Sequence, residues 1–226
     1  TDEKRSIMKY DGIIFDLDGT LWDSTDGIAL SWKKVIDRIP EITNRPTKED
    51  YLSVMGLSDV DLMKKLFPTL SEAEGRRLFD LCCIEENAYL ARVGGKAFQG
   101  IEETLRILSQ EYKLSIVSNC NLGYIEAYFT SMGTKAYFSD YESFGNTRRP
   151  KSENIQLVVA RNSLKNPLYV GDTHWDRVAA ETAGVPFLFA AYGFGETEPG
   201  VPEIRTPMDL VDYLQNSNSH GKDDIR

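Results

Sequence analysis

The sequence predicts a parallel α/β protein, a sheet covered by helices on both faces, with an all-helical insertion after its first strand. Three observations carry this. Short apolar runs rich in β-branched and aromatic residues alternate with helical patterns. Each run is apolar at successive positions, as a strand buried on both faces requires. One long stretch, from about Ser24 to Val93, contains no strand pattern at all.

The strand candidates are "GIIFDL" (12–17), "KLSIVSN" (113–119), "PLYVGDT" (167–173) and "VPFLFAAYG" (185–193), with "KAYFSDYES" (135–143) a weaker one. Between them lie the helical patterns "GIEETLRILSQEY" (100–112), "LGYIEAYFTSMG" (122–133), "SENIQLVVARNSL" (152–164) and "DRVAAETAG" (176–184). The interrupting stretch holds "STDGIALSWKKVIDRI", "KEDYLSVM", "SDVDLMKKLF" and "SEAEGRRLFDLCCIEENAYLARV". Ser58 and Ser71 stand as N-caps ahead of acidic first turns, and Pro40, Pro46 and Pro68 separate the segments. Because the chain leaves and re-enters the core at one edge, residues 22–94 are expected to form a cap domain. The core is then 1–21 plus 95–226. The tail "QNSNSHGKDDIR" (215–226) is polar and expected to fray.

Composition excludes several classes. The chain has 226 residues, 41% hydrophobic and 27% charged, with a formal net charge of −9. That balance argues against nucleic-acid or anionic-membrane binding, which needs a basic face. Three cysteines, Cys82, Cys83 and Cys120, show no disulfide or metal spacing. The two histidines, His174 and His220, are far apart. "TDEKRSIMKYDG" lacks the apolar stretch of a signal peptide, and no run approaches a membrane span. A cytoplasmic monomer is the expectation.

In open parallel sheets, ligands bind outside the carboxyl ends of the strands. The residues delivered there are Asp16 and Asp18, then Ser118 and Asn119, then Gly171, Asp172 and Asp176. Lys151 lies in the loop "NTRRPKSEN" just before a helix. Residues i and i+2 of an extended chain point to the same side, so Asp16 and Asp18 can face one ligand. Carboxylates packed together need a cation, and oxygen-only donors select a hard ion, Mg²⁺. Asp16 with Asp172 suits it. Beside such an ion a carboxylate can attack phosphorus, and a second Asp can serve as general acid and then base. The Ser118 hydroxyl, the Asn119 backbone N–H and Lys151 would meet the phosphoryl oxygens, where transition-state charge gathers.

"DLDGTL", "VSN", the Lys151 loop and "GDTHWD" resemble, in order and context, the four motifs of the haloacid dehalogenase-like (HAD) hydrolases. The chain is most similar to the phosphoglycolate-phosphatase-like branch with a helical cap, and the likeness covers nearly its whole length. The resemblance implies a three-layer Rossmann-like core and an aspartyl-phosphate intermediate. It makes Asp16 the nucleophile and Asp18 the acid/base, with Mg²⁺ held by Asp16, the Asp18 backbone carbonyl and Asp172. Ser118 and Lys151 would bind phosphate, and Asp176 would support the metal site or Lys151 from behind. The substrate would be a small phosphorylated metabolite, phosphoglycolate-like or a sugar phosphate.

Departures from relatives bear on the reaction. An aspartate at position 18 disfavours dehalogenase and phosphonatase chemistry, where the family has tyrosine or alanine. The β-phosphoglucomutase relatives carry a histidine where this chain has Ile28, which weakens a phosphomutase. A pyrophosphatase is the remaining alternative. Lys151 is followed by Ser rather than Pro, and Arg148 and Arg149 stand beside it.

Other residues read as structural. Thr20 braces its loop, Asp23 braces the exit to the insertion, and His174 is non-catalytic. Trp22 and Trp32 pack at the hinge or in the cap. Cys82 and Cys83 are core thiols. The loop around Gly56, "SVMGLSD", is the segment expected to reach the leaving group.

Overall fold

The computed structural model describes residues 10–55 and 57–219. The predicted α/β class holds. Six parallel strands form one sheet: β1 (Gly12–Phe15), β4 (Lys113–Ser118), β5 (Phe138–Ser143), β6 (Pro167–Gly171), β7 (Phe187–Ala190) and β8 (Glu203–Ile204). Their spatial order is β5-β4-β1-β6-β7-β8. A separate antiparallel pair joins β2 (Trp22–Asp23) to β3 (Lys96–Ala97).

Side-chain alternation along β1 explains the three layers. Ile13 and Phe15 enter a core with helices α5 (Ile101–Leu108), α6 (Tyr124–Met132) and α10 (Asp209–Ser219), through Leu105, Phe129 and Leu210. Ile14 points the other way. It packs with Ile155 and Val158 of α8 (Lys151–Arg161) and Ala180 of α9 (His174–Ala183). Neighbouring residues of one strand thus serve opposite faces.

Among the described residues between β2 and β3 the regular elements are all helices: α1 (Thr25–Ile36), α2 (Lys48–Leu52), α3 (Asp59–Leu66) and α4 (Glu72–Val93). Ser58 caps α3 by accepting from the Asp61 N–H at 3.2 Å. Ser71 and Glu74 form a capping box on α4. Trp32 packs edge-on against Tyr51 and Phe79 inside the insertion. Trp22 packs against Tyr124 and Tyr128 where the insertion meets the core. Asp23 accepts from the Thr25 N–H at 2.9 Å and so braces the entry to α1. Cys82 and Cys83 are buried on α4 and free.

Several elements differ from the sequence reading. The weak strand at 135–143 begins only at Phe138, after a short 3₁₀ turn over Lys135–Tyr137. A four-residue helix, α7 (Phe144–Thr147), precedes α8. Lys151 is the first residue of α8 rather than a loop residue. Strand β8 and helix α10 extend the fold beyond the elements that the sequence pattern predicts. Residues 215–219 of the polar tail belong to α10, because Leu210, Val211 and Leu214 anchor that helix in the core. The rest of the tail, with His220, lies outside the described residues, as does Gly56. Among the described residues no helix is long and apolar enough to cross a membrane.

Candidate active site

Strand β1 lies at the sheet's switch point. Its neighbour on one side is β4, reached by one crossover, and on the other β6, reached in the opposite direction. Loops leaving the carboxyl ends of β1, β4 and β6 must splay apart there, which opens a crevice. Asp16 follows β1 and is fixed by its N–H donating to the Val170 carbonyl at 2.9 Å. Ser118 ends β4, and Asp172 follows β6.

Lys151 joins these loops. Its Nζ lies 2.6 Å from Asp16 Oδ1 and 2.5 Å from Asp176 Oδ1. Lys151 and Asp16 are only 8% and 7% exposed, so a charged pair on this scale survives burial only because each has a partner. Burial works against the Lys151 ammonium, yet Asp16 and Asp176 outweigh it and raise its pKa. Asp176 is held in turn by a capping box. Its Oδ2 accepts from the Thr173 N–H at 2.9 Å, and its own N–H donates to Thr173 Oγ1 at 3.1 Å.

Asp172 is fully buried. Its Oδ1 accepts from Thr20 Oγ1 at 3.2 Å and its Oδ2 from the Phe194 N–H at 2.8 Å. The Thr20 hydroxyl thus braces a carboxylate from another loop. Carboxylate oxygens of Asp16, Asp172 and Asp176 come within 4.8 Å of one another. Burial, then Asp176, raises the pKa of Asp16, and the same two causes push Asp172 up to about 7. Three buried acids share one ammonium, an imbalance that a divalent cation would correct. The donors are all oxygen, which suits a hard cation.

The Asp18 carboxylate turns toward the insertion. Its Oδ1 accepts from Ser24 Oγ at 2.5 Å and lies 2.8 Å from the Tyr124 hydroxyl. Burial pushes Asp18 up to about 6, against the lowering effect of those two donors. Ser118 does not cap α6, which begins at Tyr124 with Gly123 as its cap. Its Oγ accepts from the Cys120 N–H at 3.3 Å. Ser118, Asn119 and Lys151 line one cleft with Asp16, Asp18 and Asp176. Asp172 and Thr20 stand behind its wall. Arg148 reaches the cleft, whereas Arg149 pairs with Glu153 at 4.0 Å. His174 pairs with Glu198 at 2.8 Å and is not among the residues that line the cleft.

A family model described as haloacid dehalogenase-like hydrolase matches residues 13–190, well over half of the chain. The chain belongs to this family. Its likeness to curated members extends beyond the motifs. It is 26% identical over 201 residues to a phosphoglycolate phosphatase of Yersinia pestis, covering 83% of each chain. It is 26% identical over 211 residues to the phosphoglycolate phosphatase of Aquifex aeolicus, covering 90% of this chain and 96% of that one. Among solved structures, a haloacid dehalogenase-like hydrolase from Streptococcus pneumoniae superposes with a TM-score of 0.78 at 21% identity. That match covers 92% of this chain and 99% of the other. It establishes the shared fold.

Sequence reasoning missed four contributors to this family site. Ser24 and Tyr124 reach Asp18 from α1's cap and from α6. The Phe194 N–H reaches Asp172 from the loop after β7. Gly193 permits that approach, since a Cβ there would collide with Asp172 and the Gly19 carbonyl. Only "YG" at the end of a strand run signalled it.

Proposed function

We propose that this enzyme is a Mg²⁺-dependent phosphatase that hydrolyses a small phosphomonoester through an aspartyl-phosphate on Asp16. The observation that supports it most is Lys151 bound to both Asp16 and Asp176 beside Asp172, with Asp18 free of that cluster. Two carboxylates in different surroundings suit two roles. The names of the curated relatives point to the same chemistry.

Lys151 occupies Asp16 Oδ1, which leaves the second carboxylate oxygen to attack phosphorus. The P–O bond to the alcohol breaks, and Asp18 gives its proton to the departing oxygen. Asp18 then takes a proton from water, and the resulting oxygen nucleophile attacks the same phosphorus. Phosphate leaves and Asp16 is regenerated. Ser118, the Asn119 N–H and Lys151 hold the non-reacting oxygens. Asp16, Asp172 and the Asp18 backbone carbonyl would hold Mg²⁺, with Asp176 behind Lys151. Bound there, the ion supplies positive charge to the phosphoryl group.

Residues 22–94 act as the cap over a core of 1–21 and 95–226, screening the reaction from bulk water. Met55 and Leu57, flanking Gly56, line the cleft and support a leaving-group contact there. A phosphomutase is disfavoured because Ile28, an apolar residue that lines the cleft, stands where the similar β-phosphoglucomutase relatives carry a histidine. Free cysteines support a reducing, cytoplasmic location, and we read the protein as a monomer.

The test is phosphate release from a generic ester with Mg²⁺ and with chelator. We expect Mg²⁺-dependent turnover in the wild type and a loss of at least ~10³-fold in Asp16→Asn, the scale of a missing nucleophile. Retention of most activity by that variant overturns the mechanism.

A further inference from the structure

The cleft that holds Asp16 and Lys151 encloses about 360 Å³ and continues well past the phosphoryl end, up to the insertion. There its walls are Ile28, Trp32, Tyr51, Leu57 and Phe79. Its mouth is apolar too. Ile84, Leu122 and Trp175 all line it and stay 69%, 62% and 57% exposed. Large apolar side chains held open to solvent around one cleft mark a ligand surface rather than a core.

Positive charge is scarce along that surface. Among the described residues lining the cleft, only Lys151 and Arg148 are cationic. Lys151 is engaged by Asp16 and Asp176. Arg148 sits at the rim, half-exposed, and pairs with Asp59 at 3.5 Å. Asp59 also pairs with Arg76, and Arg76 with Asp80, so this rim group is balanced.

Glu86 of α4 also lines the cleft, close enough to Asp18 to feel its charge, and is buried. Its carboxyl accepts from Trp32 Nε1 and from Asn121 Nδ2, both neutral donors, and pairs with no cation among the described residues. Burial pushes it up to about 8, partly offset by those donors. Ionised, Glu86 repels a second anion. Protonated, it offers one hydrogen and no charge. In either form a substrate carboxylate in this half of the cleft meets no counter-charge.

We propose that the cleft selects phosphomonoesters whose alcohol is apolar and carries no negative charge, and disfavours phosphorylated acids. The inference rests on the phosphatase reading above and separates this chain from the substrate named for its curated relatives.

The test compares benzyl phosphate with phosphoglycolate, two esters of comparably poor leaving groups, using the full chain and Mg²⁺. We expect kcat/KM at least ~10-fold higher for benzyl phosphate, the discrimination a pocket lacking a partner group can enforce. Ile84→Lys adds a cation at the exposed mouth and should narrow that ratio severalfold by improving phosphoglycolate. Equal or better wild-type use of phosphoglycolate overturns the inference and leaves the phosphatase reading intact. An unchanged ratio in Ile84→Lys also counts against it. No phosphate release from either ester, nor from p-nitrophenyl phosphate, overturns the phosphatase reading and the inference with it.

Discussion

Lys151 Nζ lies 2.6 Å from Asp16 Oδ1, and both side chains are almost wholly buried. The pair explains how acids can crowd the end of β1. Removing the ammonium leaves Asp16 facing Asp172 and Asp176 with no positive partner among the described side chains. Lys151→Ala should therefore lose at least ~10²-fold in kcat, the scale of a lost transition-state donor. It should also lower stability by about 3 kcal/mol, as breaking a buried ion pair does. Steady-state kinetics with a urea melt checks both, and Lys151→Arg tests whether charge alone suffices.

The Tyr124 hydroxyl lies 2.8 Å from Asp18 Oδ1 and 2.7 Å from Ser24 Oγ. It positions the proposed acid/base without touching phosphorus. Tyr124→Phe removes one donor to a carboxylate while Ser24 keeps the other. The expected result is a ~10-fold fall in kcat, the worth of one hydrogen bond to a charged group, with KM nearly unchanged. A matching rise in KM would mean that Tyr124 binds substrate instead.

The contrast between Asp16 and Tyr124 shows what the sequence makes legible. Asp16, Asp18, Ser118 and Asp172 stand directly behind apolar runs, and strand ends in a parallel sheet share one edge. Lys151 lacks that cue and is legible only by its order among the motifs. Tyr124 sits in an ordinary helical pattern, and only the tertiary approach of Trp22, Ser24 and Asp18 reveals where its ring and hydroxyl lie. Glu86 is similar: twenty-two residues of amphipathic helix give no sign that one carboxyl is buried beside neutral donors. Strand β8 is two residues long, too short for any periodicity, and α10 has no strong apolar pattern although Thr206 and Asp209 form its capping pair. Local pattern reveals elements and their ends; tertiary approach, as at Gly193, does not show in it.

Gly193 and Gly19 both pass close to Asp172. A Cβ on Gly193 would collide with the Asp172 side chain and the Gly19 carbonyl. Gly19 adds a backbone constraint, since its φ of +83° is strained for any L side chain. Gly193→Ala should cost about 1–3 kcal/mol through overpacking and displace the Asp172 carboxylate. Its Mg²⁺ requirement for half-maximal activity should rise, whereas Gly200→Ala, which meets no neighbour within 4 Å, should leave that requirement unchanged.

The cation proposed at Asp16 and Asp172 would bind the folded chain in preference to the unfolded one. At a hundredfold excess over Kd this adds about 2.7 kcal/mol, or a Tm rise of roughly 5–10 °C for a chain of this size. Thermal melts with Mg²⁺ and with chelator should show that increment in the wild type. In Asp172→Ala it should vanish, whatever the Tm of the apo variant, in which relief of one crowded carboxylate opposes the loss of the acceptor for Thr20 and the Phe194 N–H. A full Mg²⁺ increment in Asp172→Ala would remove Asp172 from the metal site.

Glu86 makes stability depend on pH in a direction opposite to an ordinary salt-bridged acid. Burial raises its pKa from 4.5 to about 8, against the donors Trp32 and Asn121. A carboxyl whose folded pKa is raised binds its proton more tightly when folded. Its contribution is therefore complete below the unfolded value of 4.5 and is lost as pH climbs through about 8. At about 1.4 kcal/mol per pKa unit, the swing between pH 5 and pH 9 amounts to a few kcal/mol. Glu86→Gln cannot ionise, but its amide turns an N–H toward one of two donors. That variant should start less stable than the wild type at pH 5 and lose less by pH 9, so the two urea-midpoint curves converge. Parallel curves would show that Glu86 stays charged in the folded protein.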